Sequence, residues 1–73
     1  MAQEIIEAPL TGKIVGVNVK QGDTVEEGDV ICLIESMKME NPILAPIAGS
    51  IVQVEVSVDQ VVQPGQTIAI IEG

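Results

Sequence analysis

Seventy-three residues suffice for one small domain, and 47% of them are hydrophobic although none is aromatic, so a core that buries roughly 60–65% of the unfolded surface must be assembled from Ile, Val, Leu and Ala. Eleven acids against three lysines leave a formal charge of −8, which repels phosphate backbones and anionic membrane surfaces, and the missing rings remove base stacking, so no nucleic-acid partner is expected. With no histidine and only Cys32, the chain cannot supply a disulfide framework, a metal site with several nitrogen or sulfur ligands, or a Ser–His or Cys–His pair.

The opening "MAQEIIEAP" lacks the cationic start and long apolar stretch of a signal peptide. No apolar run approaches the ~18–20 residues of a membrane span, so a soluble, cytoplasmic chain without direct membrane insertion is expected. From Ile14 onward Val15, Val17 and Val19 alternate with Gly16 and Asn18, the period of a half-buried strand. Gly22 and Asp23 then supply a turn, and "EEGD" a second one around Gly28. Glu26, Glu27 and Asp29 crowd that second turn as a solvated acidic edge. The run "VICLI" is apolar at every position; its length and flanking glycine favour a well-covered strand, with Cys32 as a small buried hydrophobe.

After "ESMKME", Glu35 to Glu40, the chain begins again. Displaced by 37 residues, Ala8–Glu35 aligns without a gap on Ala45–Glu72, with identical Gly, Pro and apolar positions that include Pro9/Pro46, Gly12/Gly49, Ile14/Ile51, Gly28/Gly65 and Ile34/Ile71. This is an internal duplication with halves at about 8–35 and 45–72 of a single domain spanning 1–73. Val52, Val54, Val56 and Val58 repeat the alternating strand, "QPGQ" carries the Pro-Gly signature of a type II turn, and "TIAII" repeats the covered strand. Asp59 replaces the glycine of the first half, and Asp tolerates a left-handed backbone. Each half supplies about four short strands and cannot bury its own apolar face. The expected fold is therefore all-β, a flattened barrel or sandwich of two packed sheets with a pseudo-two-fold repeat.

In that scheme only Met37 and Lys38 remain for a two-residue hairpin tip between the halves. Such tips need φ > 0 and recruit Asn or Gly, so Met-Lys is the wrong turn chemistry, a mark of function rather than stability. A lysine at a loop tip is ordinarily a solvated charge. Lys38, however, stands at the seam of the duplication, on an unsuitable turn, between two methionines. A rigid scaffold with a tight tip presents its amine to other proteins. Lysine amines are almost wholly protonated at neutral pH, and no base accompanies this one, so acylation requires an enzyme with an activated donor.

"ESMKME", with "APLTG" before it, "APIAG" after it and "GDTVEEGD" between, closely resembles the biotinyl domain of biotin carboxyl carrier proteins, from about Ile5 to Glu72. The resemblance implies two four-stranded antiparallel sheets with the modified lysine on the hairpin between strands four and five. It implies biotin in amide linkage on Lys38, Met37 and Met39 as the flanking motif for ligase recognition, and no catalytic residue. It also implies as partners a biotin protein ligase, a biotin carboxylase that loads the carboxyl group, and a carboxyltransferase or decarboxylase that takes it up. Ser36 stands where the family more often has alanine, and no loop interrupts "VNVKQGDTV", so the chain looks like the thumbless carriers of acyl-CoA carboxylases, transcarboxylases and decarboxylases. No Pro/Ala-rich linker precedes Ile5, which fits a free-standing carrier or a domain of a longer subunit. A lipoyl carrier shares the fold but usually has Asp before the lysine and Ala or Val after it; an unmodified docking module would lack the lysine.

Overall fold

The computed structural model describes residues 2–73. Eight strands follow one another: β1 (Gln3–Glu7), β2 (Gly12–Val17), β3 (Thr24–Val25), β4 (Val30–Ser36), β5 (Met39–Leu44), β6 (Gly49–Val54), β7 (Val61–Val62) and β8 (Thr67–Glu72). They form two four-stranded antiparallel sheets, one in the order β1-β8-β6-β3 and the other β5-β4-β2-β7. The expected all-β architecture of two such sheets is therefore present. Each sheet takes two strands from the first half of the chain and two from the second, a mixing that period-two patterning cannot specify.

The halves are tied together by reciprocal backbone bonds. Gly28 N–H donates to the Ala45 carbonyl and Gly65 N–H to that of Ala8, both at 2.9 Å; Ala8 N–H donates to Gln66 and Ala45 N–H to Asp29, both at 2.8 Å. Every bond has a mate 37 residues away in which the halves exchange roles, so neither half can close its hydrogen bonding alone. The core repeats likewise. Ile14/Ile51, Ile31/Ile68 and Ile34/Ile71 are essentially inaccessible, Cys32 is matched by Ala69, and the equivalence reaches back to Ile6/Ile43. Branched aliphatic side chains fill the thin space between two sheets without aromatic bulk.

The runs "VICLI" and "TIAII" occupy β4 and β8, two of the four interior strands. Their uninterrupted apolarity has a local cause: one extra residue sits between Val30 and Cys32 against β5, so Ile31 and Cys32 are both buried. The alternating valines are less regular than their spacing. A register shift between Ile14 and Gly16 sends Ile14 into the core and leaves Val15 half-buried. β6 ends at Val54, and Val58 is exposed in a turn instead of continuing the strand.

Four turns share one design. Gly22, Gly28, Asp59 and Gly65 have φ of 97°, 93°, 78° and 89°, the left-handed third position of a type II turn. The residue after each accepts a bond from a backbone N–H three positions earlier: Asp23 from Lys20, Asp29 from Glu26, Gln60 from Ser57 and Gln66 from Gln63, at 2.9–3.3 Å. Asp29 thus has a structural task within the acidic edge. Asp59 keeps the turn of its glycine mate, and its carboxylate lies 3.4 Å from Lys13 Nζ.

Candidate functional site

β4 and β5 pair in continuous register from Leu33↔Pro42 to Ser36↔Met39, so Met37 and Lys38 alone make the connection. Their φ values are 53° and 66°, positive at both central positions as a type I′ connection requires. Side chains other than Gly, Asn or Asp hold such a conformation at a cost of roughly 1–2 kcal/mol per residue. Strand pairing on one side and sheet packing on the other over-determine the tip and hold it there.

Below the tip the scaffold is stiff. Asn41 Nδ2 donates to the carbonyls of Ile34 and Met39, each at 3.3 Å, which fastens the two strands across the base of the hairpin. In the sequence Asn41 carries no periodic mark; its only signal is a polar residue between Met39 and Ile43 on the inward-facing set of β5. Gly12 allows β2 to approach the same base, because a Cβ there would stand 2.5 Å from Ile34 Cγ2 and 2.6 Å from the Glu35 carbonyl oxygen.

Above that base the tip is open. Met37 is 92% exposed and Met39 67% exposed, and Lys38 lies exposed between them. Core packing does not account for either methionine. Among the described residues Lys38 forms no ion pair; the one salt bridge joins Lys13 to Asp59. Glu40, Glu35, Lys13 and Val61 form one exposed cross-strand row beneath the tip. Lys13 of this row is paired with Asp59, whereas Lys38 has no carboxylate partner among the described residues.

No cleft opens around the tip among the described residues. Cys32 is fully buried and desolvation pushes its thiol from 9.0 up to about 11, so it offers no thiolate nucleophile. The chain ends lie elsewhere: Gly73 N–H donates to the Ala2 carbonyl at 2.9 Å. Gly73 sits against Ile47 and Ala48, beyond the end of β5 remote from Met39. The arrangement can present an amine on a fixed backbone, remote from Ala2 and Gly73, to an enzyme that brings its own active site. It fits a cofactor joined through a carboxyl group to that amine.

Residues 4–71 match the family model described as "Biotin-requiring enzyme". The gamma subunit of glutaconyl-CoA decarboxylase from Acidaminococcus fermentans is 56% identical over 39 residues, 53% of this chain and 27% of that subunit. The biotinylated protein TB7.3 of Mycobacterium bovis is 46% identical over 41 residues, covering 56% of this chain and 58% of that protein. The urea carboxylase of Kluyveromyces lactis superposes with a TM-score of 0.90 at 28% identity over 99% of this chain, which is 6% of that enzyme. The chain thus spans only part of the proteins it matches. No helix of the described residues is long and apolar enough to cross a membrane.

Proposed function

Because the chain belongs to the biotin-requiring enzyme family, we propose that residues 1–73 act as one biotin carboxyl carrier unit with Lys38 as the attachment point. The observation that carries this reading is the exposed, ion-pair-free lysine at a hairpin tip whose two central residues both have positive φ. A biotin protein ligase activates the carboxyl group of biotin with ATP, as an acyl adenylate with release of pyrophosphate, and passes the acyl group to Lys38 Nζ as an amide with AMP leaving, so that the chain gains one biotin less one water. Met37 and Met39 give that ligase two exposed apolar side chains to grip on either side of the amine.

When bound, biotin supplies a ring nitrogen that takes up and gives back a carboxyl group. The chain's own contribution is positional. β4 and β5 fix the Lys38 backbone, so reach comes from the side chain rather than from a mobile loop. Asn41 keeps the hairpin from opening at its base. Tethering replaces free diffusion between a biotin carboxylase and a carboxyltransferase or decarboxylase by a search at high effective concentration. The unit itself is non-catalytic, since the chemistry resides in the cofactor and in the partner enzymes. It works in the cytoplasm as a subunit or domain of a biotin-dependent carboxylase, transcarboxylase or decarboxylase. The likeness to a glutaconyl-CoA decarboxylase subunit favours an acyl-CoA substrate.

The test is the intact mass of the chain after incubation with a biotin ligase, biotin and ATP. Gain of one biotin less one water, absent in Lys38→Arg although Lys13 and Lys20 remain, is the expected result. Modification by a lipoate ligase and not by a biotin ligase would replace this reading with a lipoyl carrier. No modification by either enzyme would leave a docking module.

A further inference from the structure

Four strands form the edges of the two sheets: β1, β3, β5 and β7. β3 and β7 are two residues long, too short to template another strand. β1 and β5 are pseudo-symmetry mates. Gly73 N–H donates to the Ala2 carbonyl, and Ala8 N–H donates to Gln66. Antiparallel ladders alternate, so Ala2, Glu4, Ile6 and Ala8 turn their backbone groups toward β8. Gln3, Ile5 and Glu7 then point their N–H and C=O groups outward. The register shift between Ile6 and Glu7 leaves this alternation intact, because the extra residue, Ile68, belongs to β8.

On β5 the corresponding outward position is Pro42. It lacks an N–H, costs the ladder nothing there and blunts the edge beside the hairpin. The mate of Pro42 on β1 is Ile5, which keeps its N–H and is 55% exposed. β1 is thus the one edge among the described residues that is both long and unblocked.

Its surroundings state what would fit. Across the outer face Gln3 lies beside Glu72, Ile5 beside Ile70 and Glu7 beside Thr67. Ile5 and Ile70 form an apolar step with Glu72 on one side and Glu7 on the other, and Glu4, exposed on the opposite face of the strand, adds a third acid to the edge. Neither β1 nor β8 carries a cation. We propose that β1 accepts an extended, basic segment of a partner protein as a fifth, antiparallel strand, with an apolar residue opposite Ile5 and cations opposite Gln3, Glu4 and Glu7. The backbone supplies three outward donors and three outward acceptors, and the side chains select the sequence. A second copy is the poorer occupant, since it would bring two bodies of −8 charge together and set the acids of one β1 edge against those of the other. The tip on the other sheet stays free, so this docking is independent of what Lys38 carries.

The probe is the peptide lysine-valine-valine-lysine-lysine, blocked at both ends, with the full chain labelled for amide hydrogen exchange by NMR. Slowed exchange at Gln3, Ile5 and Glu7 is expected. Ile5→Pro, which copies the tolerated Pro42, should weaken binding about tenfold or more with melting little changed, as should N-methylation of the peptide's central valine, which removes one backbone bond but no charge. Binding that is indifferent to both changes would be a charge contact only and would overturn the proposal. So would protection along β5 or at the acidic turns, no binding at millimolar peptide, or sedimentation showing that free chains pair through β1. If Ile5→Pro does not fold, the N-methyl peptide alone decides.

Discussion

The two ends of this molecule are built from the same positions of a repeat and have become different things. At one end Ser36 and Met39 pair across a closed tip, Met37–Lys38, with both backbones left-handed. At the other the equivalent positions are Gly73 and Ala2, two chain ends joined by one backbone bond. The turns diverge as well. Beside the tip they carry Ser57, Val58, Asp59, Gln60, Gln63 and Pro64, whereas at the terminal end they carry Lys20, Asp23, Glu26, Glu27 and Asp29. Between the ends the core is nearly identical on either side of the pseudo-axis. Symmetry is kept where packing sets the cost of change and lost at the exposed ends, where it does not.

The sharpest way to break that comparison lies in the core. Ile34→Ala and Ile71→Ala both empty fully buried positions, and each should lower unfolding free energy by about 2–5 kcal/mol in urea titrations. Mates in equivalent surroundings should differ by less than about 1 kcal/mol; a wide gap would mean that the halves are alike in sequence but not in packing.

Next come the close approaches. A Cβ on Gly12 would meet Ile34 and the Glu35 carbonyl, and one on Gly49 would meet Ile71 and the Glu72 carbonyl. Gly12→Ala and Gly49→Ala should each cost about 1–3 kcal/mol by the same titrations.

The tip should answer in the opposite direction. Lys38→Gly removes a side chain from a left-handed backbone and should raise stability by about 1 kcal/mol while abolishing modification. Met37→Asn should gain less and keep the amine. Thermal melts alongside mass measurements would separate the two effects, and a loss of stability in Lys38→Gly would show that the tip is not strained.

The smallest effect at neutral pH concerns Cys32, whose mate is Ala69. Burial raises its thiol from 9.0 to about 11, so the folded state favours the protonated form. The contribution to stability is complete below pH ~9 and is lost as pH rises toward ~11, where the unfolded chain gains by ionising. Chemical denaturation at pH 7 and at pH 11 should therefore show a steeper alkaline decline in the native chain than in Cys32→Ala.

Much of this was legible in the letters. Glycine, proline and branched aliphatic residues recur at fixed offsets because turn geometry and core volume are local demands, and each half must meet them with the same residue types. The unsuitable Met-Lys pair could be found for the same reason: a two-residue connection has backbone requirements that residue identity reveals. Asn41 is not legible there, because one amide on a strand has no periodic signature. Sequence by itself determined the all-β class, the glycine turns, the duplication and the lysine at its seam. Only the tertiary structure decided that each sheet mixes strands from both halves, that bulges send Ile14 rather than Val15 into the core, and that Pro42 closes one sheet edge while Ile5 leaves its mate open. These depend on which backbone groups face one another across the fold, and hydrogen-bond direction is a property of pairing, not of residue type.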